Sequence, residues 1–283
     1  MSKLFKLVGL SIAYSMLSAT LVFAAAYSEG SVSNGGSISG KISFKGAVPA
    51  PKEFPIGKFP QAEFCAKVDS KDGTRFREDV KVKDGGLGDV VVYIEKIAKG
   101  KAFNAADLQM KIVADNCRFL VAEGQGPSRM VTVVLNAKKT GKKSVIMVKN
   151  LDSDPSSPKT AGGILHNPHG YDVKGVLRKT VFNKPVPKLN QEITIKVKKT
   201  WFKKKDTFHL IECDQHNYMN VWALPIRNPY YAIVNADGTY KIGDIPAGKY
   251  ELKAFHPALG FKKQTITVSG GADAAGNFEF AKK

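Results

Sequence analysis

Apolar and polar positions alternate along much of the chain beyond residue 36, with the period of two that marks a half-buried strand. In residues 37–46, Ile38, Gly40, Ile42 and Phe44 alternate with Ser and Lys. The β-branched run at 89–95 predicts a second strand. Residues 52–86 hold Pro, Gly and charge with little periodicity, and read as a long connection. A new set of strands is predicted at 108–121, 130–135 and 144–150. The Lys-rich stretch 138–143 reads as a basic hairpin turn between the last two. Alternation returns at 191–198, and the runs 207–213 and 220–226 follow. Beyond them, Asp237-Gly238 reads as a hairpin turn. Further strands are predicted at 245–256, 264–268 and 277–280. No helical periodicity of useful length appears after the first 26 residues. Many short strands between turn signals predict an all-β chain of β-sandwiches.

The first 26 residues have a different character. Lys3 and Lys6 precede an apolar run from Leu7 to Phe23, and Ala24-Ala25-Ala26 closes it. A basic start, an apolar middle and a small-residue end predict a secretory signal peptide over 1–26, and hence a periplasmic or secreted protein. The formal net charge of the chain is +18. An exported protein rarely meets nucleic acid, so this charge points to an acidic redox partner, an anionic cell-surface polymer or a membrane surface, or to solubility alone.

The chemistry concentrates in Cys213-Asp-Gln-His216-Asn-Tyr-Met219. A thiolate, an imidazole and a thioether at three-residue spacing are three of the four donors of a His₂Cys site with a weak axial Met. The missing imidazole must come from another strand. His166, in Leu165-His166-Asn167-Pro168-His169, is the favoured source, with His169 as the alternative. His209 lies four residues before Cys213, about 13 Å away on an extended strand, too far to share the metal. His256, in Phe-His-Pro, falls in the second sandwich and reads as no ligand. Asp152 and Asp154 sit in a Pro/Ser loop, where they could bind a hard cation; the favoured reading is a solvated loop.

These motifs resemble the cupredoxins of the plastocyanin, azurin and amicyanin kind. His166-Asn167 matches the upstream His-Asn of that family, and Cys213-x2-His216-x2-Met219 matches its short downstream loop. The resemblance implies one type 1 copper held by His166, Cys213, His216 and Met219, with Asn167 fixing the loop and the sulfur. It implies a one-electron carrier rather than an enzyme, exchanging electrons with a redox protein such as a cytochrome; the alternatives are a copper-holding or delivery protein using the same residues, and a metal-free surface- or polysaccharide-binding β-sandwich protein in which Cys213 is only a thiol. It also implies an exposed His216 edge, expected beside an apolar docking patch; Tyr218, Pro168 and Trp222 are candidates for that patch, with the core as the favoured place for Trp222. Five His with no His-x-His pair argue against further copper centres.

The stretch 237–252, together with 38–46 and the strand at 90–94, resembles carboxypeptidase regulatory-like (prealbumin-like) β-sandwich domains. The two resemblances imply a split sandwich, 37–100 plus 227–283, with a Greek-key cupredoxin-like domain over 105–226 inserted in it. A tandem arrangement is the alternative. With Cys213 given to the metal, Cys65 and Cys117 remain, either as a disulfide in an oxidising compartment or as two small buried thiols. The Lys residues at 196, 198, 199 and 203–205 bracket Trp201-Phe202 and suit an acidic partner or an anionic surface.

Overall fold

A computed structural model describes residues 26–121 and 130–282. Apart from Ala26, the predicted leader lies outside the described residues. The chain is all-β, as its patterning predicts. One four-stranded sheet has the order Arg118–Val121, Gln109–Asp115, Val145–Asn150, Glu192–Lys196. It faces a five-stranded sheet of order Val131–Leu135, Asn220–Ile226, Phe208–Cys213, Pro168–Lys174, Leu177–Asn183. Ile112, Ile146, Val148 and Ile195 of the first sheet share one core with Val134, Ile211, Val221 and Ala223 of the second.

A second pair of sheets forms from the two ends of the described chain. Gly36–Lys45 pairs with Thr239–Ile245, Asp273–Ala275 and Phe278–Ala281. Val91–Ile94 lies between Tyr231–Ile233 and Gly248–His256, with Gly260–Val268 at the edge. Ile38, Ile42 and Phe280 meet Val92, Leu252 and Ile266 in its core. A third cluster joins the two pairs: Val131, Val133, Leu135 and Ile226 pack against Val91 and Phe255. Val131–Leu135 is therefore buried on both faces, which explains its nearly unbroken apolar run.

Three local expectations need correction, and one hairpin went unanticipated. Residues 52–86 are not a bare connection: strands Lys52–Pro55 and Thr74–Arg77 pair around an α-helix, Ala62–Asp69. The Lys-rich stretch 138–143 is no hairpin turn. It carries a short helix, Ala137–Thr140, and its flanking strands lie in different sheets. Asp237-Gly238 likewise joins strands of different sheets. A Cβ on Gly238, where φ is +85°, would lie 2.3 Å from the Ile42 carbonyl oxygen, so this crossing needs glycine. The hairpin Pro168–Lys174/Leu177–Asn183 had no counterpart in the sequence pattern.

Candidate metal centre

The strand Phe208–Cys213 is held on both edges, by Pro168–Lys174 and by Asn220–Ile226. It ends at Cys213, where the chain winds back through tight turns. The His216 amide donates to the Cys213 carbonyl (3.2 Å), and the Met219 amide donates to the His216 carbonyl (2.8 Å). The Cys213 amide donates to the Met219 carbonyl (3.0 Å) and closes the loop. Three-residue spacing thus buries Cys213, His216 and Met219, while Asp214 and Asn217 face solvent.

His166 arrives from the loop before Pro168. The buried Asn150 side-chain Nδ2 donates to the carbonyls of Ile164 (2.7 Å) and Val186 (2.8 Å). The Val186 amide donates to the His166 carbonyl (2.8 Å). These bonds anchor the loop to the sandwich and bring His166 to the downstream turn.

His166, Cys213 and His216 form one buried cluster, their donor atoms all within 4.8 Å of one another. Cys213 Sγ lies 3.9 Å from His166 Nδ1 and 3.8 Å from His216 Nδ1. Bonds of the length zinc makes, about 2.1 Å to nitrogen and about 2.3 Å to sulfur, separate the two donors by about 3.8 Å when they meet near 120°. Both sulfur–nitrogen separations are close to that value, so one ion can lie between the sulfur and either ring.

The tautomers agree as well. His166 Nε2 donates to Asp152 Oδ2 at 2.8 Å, and His216 Nε2 donates to the Pro60 carbonyl at 2.8 Å. A carbonyl can only accept, so His216 carries its proton on Nε2 and offers the Nδ1 lone pair toward the sulfur. The Asp152 carboxylate fixes His166 in the same way. Burial pushes the Cys213 thiol up to about 11 and the His216 imidazole down to about 4. At neutral pH His216 is neutral and Cys213 protonated, so a metal must displace one thiol proton.

Asp152 is not solvated, contrary to the expectation from its Pro/Ser surroundings. Its side chain is buried, and Oδ2 also accepts from the Cys117 amide at 3.0 Å. Asp154 is mostly buried too, held by Ser156 and Lys67. The placement of Asp152 depends on Cys117 and His166, 35 and 14 residues away, and no local pattern announces it.

The exposed His216 edge is also overturned. His216 is fully buried. Residues 52–77 fold over it as a lid, with Phe59 and Phe54 packed edge-on against Tyr218. Cys65 and Cys117 form a disulfide that ties the lid helix to the sandwich, and Cys65 Sγ lies 4.0 Å from His216 Nε2. Gln61 Oε1 accepts from the Leu165 amide (2.8 Å), joining the lid to the His166 loop. Asp69 pairs with both Arg75 and Arg118 at the lid's other end. Pro168 and Tyr218 are buried, and Trp222 is half-buried.

Met219 is buried at the end of the turn that follows Cys213. The Asn167 amide donates to Cys213 Sγ at 3.3 Å, and its side chain donates to Asp214 (3.1 Å). His169 lies outside the cluster, near the surface, bonded to Asp214 (3.0 Å), Tyr171 (2.8 Å) and Thr180 (2.9 Å). His209 is packed among Trp201, Phe182 and Phe202, away from the ligands. His256 accepts on Nδ1 from the Ala258 and Leu259 amides.

No family model matches the chain, and no curated protein matches it. Among solved structures, a Cu-containing nitrite reductase (NirK) from Thermus scotoductus SA-01 is similar at 14% identity and a TM-score of 0.26. The match covers 48% of this chain and 25% of that one, so the chain spans about a quarter of that protein's length. So slight a likeness bears on neither activity nor substrate. The donor set itself, two imidazoles and one sulfur, fits a type 1 copper site.

Proposed function

We propose that the protein is an exported one-electron carrier with a single type 1 copper, held by His166, Cys213 and His216 with Met219 as the axial donor. The observation behind this reading is the buried His-Cys-His cluster, in which groups outside it point both Nδ1 atoms at one sulfur. Copper bound there supplies a one-electron couple. The protein's part is to hold the donors still and keep water out. Pro60 and Asp152 lock the rings, the disulfide-tied lid covers His216, and the Asn167 amide steadies the sulfur.

The enclosure favours electron transfer across the protein surface over chemistry on a metal-bound substrate. Pro60 is exposed, and its carbonyl bonds directly to His216. One route from His216 to the surface therefore runs through that hydrogen bond. Basic residues suit an acidic redox partner such as a cytochrome. In this reading the sandwich built from the chain ends is a carboxypeptidase regulatory-like domain, and the copper unit over 105–226 is inserted in it.

The alternative is a copper-holding protein that releases Cu(I), which the soft Cys213 and Met219 donors also suit. Voltammetry of the copper-loaded protein separates the two. A reversible one-electron couple, with Cu(I) retained against a chelator, is expected. Rapid loss of Cu(I) on reduction would move the assignment to delivery.

A further inference from the structure

The hairpin Pro168–Lys174/Leu177–Asn183 turns through a two-residue loop, Gly175-Val176. Gly175 has φ +58°, as such a turn needs. The next residue is the anomaly. Tight hairpin loops usually carry Asn, Asp or Gly. Here Val176 stands 96% exposed, and Leu177 beside it is 64% exposed. They are the two most exposed large apolar residues among those described. Neither supports the core.

Their surroundings are strongly basic. A groove of about 220 Å³ runs beside the tip, lined by Leu177 with Lys174, Arg178, Lys179, Lys203 and Lys204. The four lysines are exposed, and none of them forms an ion pair among the described residues. Arg178 lies 3.5 Å from Glu212. Asp172 is the one acid of the groove, and its Oδ2 is taken up by the Phe202 amide. Trp201 and Phe202, which the lysines bracket in sequence, are buried and stack around His209, so the exposed apolar contact here comes from the hairpin tip.

We propose that this tip and groove form a docking surface for an anionic phospholipid membrane, with Val176 and Leu177 entering the interface and the lysines receiving headgroup phosphates. A branched aliphatic pair ringed by cations matches the layering of such a surface, apolar inside and anionic outside. A soluble acidic protein or polymer would use the lysines but would leave Val176 in water. The position also fits. Pro168 pairs with Cys213 at the metal end, and Lys174 pairs with Leu177 at the tip. Six residues of strand, about 20 Å at about 3.3 Å each, separate the two. A protein resting on its tip would hold the Pro60 edge away from the lipid. The inference does not depend on the identity of the metal.

Co-sedimentation of the protein with vesicles tests this. Phosphatidylcholine vesicles are compared with vesicles that also contain phosphatidylglycerol, for the wild type, V176D/L177D and K203E/K204E. The expected result is binding to phosphatidylglycerol vesicles alone, weakened at least about tenfold by either double substitution. Both pairs are exposed, so circular dichroism should be unchanged. Absence of binding to phosphatidylglycerol vesicles would overturn the proposal. So would binding lost in K203E/K204E but retained in V176D/L177D, which would identify a site for soluble polyanions.

Discussion

Asp152→Asn is the most informative single change at the metal centre. Asp152 Oδ2 accepts from both His166 Nε2 (2.8 Å) and the Cys117 amide (3.0 Å), in a fully enclosed position. Asparagine has nearly the same shape, and its carbonyl oxygen can take both protons. What disappears is the negative charge. Hydrogen bonds to a charged acceptor contribute about 1.5–3 kcal/mol and neutral ones about 1. The loss falls on the basicity and orientation of the His166 ring, and outer partners of this kind are worth about 10–100-fold in metal affinity. That range corresponds to about 1.4–2.7 kcal/mol, in line with the charge-assisted part of the bond. Removing a negative charge also disfavours Cu(II) more than Cu(I), so the reduction potential should rise. Competition with a chromophoric chelator gives the affinity, and voltammetry gives the potential. Asp154→Asn is the control, because Asp154 bonds Ser156 and Lys67 rather than a ligand. Unchanged affinity and potential in Asp152→Asn would refute the positioning role. Asp152→Ala is a poorer probe, since it strands two buried donors and weakens the fold as well.

Two further outcomes follow from the lid and the buried imidazoles. The Cys65–Cys117 disulfide has a sequence separation of 52, so its loss in a Cys65→Ser/Cys117→Ser protein should cost about 4 kcal/mol in chemical denaturation. It should also speed copper capture by an added chelator; an unchanged capture rate would mean that the disulfide does not hold the lid shut. Burial holds both His216 and His256 down at about 4, below the roughly 6.5 of an unfolded chain. The unfolded state then takes up protons first, so stability is full above about pH 6.5 and falls with acidification at about 1.4 kcal/mol per pH unit for each group. His256→Asn retains an acceptor for the Ala258 and Leu259 amides. In the metal-free protein it should halve the histidine part of the slope between pH 6.5 and 5 in urea titrations, and an unaltered slope would contradict the assignment.

The turn after Cys213 was legible because its cause is local: three-residue spacing after a strand buries Cys213, His216 and Met219, and the structure brings the first two together with His166. The strands with one buried face were legible for the same reason, as Ile38 and Ile42 or Ile146 and Val148 illustrate. What escaped depends on distant partners. Asp152 sits among Ser and Pro and is buried only because Cys117 and His166 receive it. The helix Ala62–Asp69 fully buries only Cys65, too little to impose a helical stripe. In Leu177–Asn183 only Phe182 is buried, so that strand shows no alternation. Exposure of the His216 edge was an expectation taken from family resemblance, and the lid that covers it comes from residues 52–77, whose pattern was weak.

The most direct test of the account is the visible absorption spectrum of the protein after addition of Cu(II), taken beside folded Cys213→Ser. The account predicts an intense thiolate-to-copper band in the wild type that Cys213→Ser abolishes. A folded wild type with reduced Cys213 and no such band would contradict it.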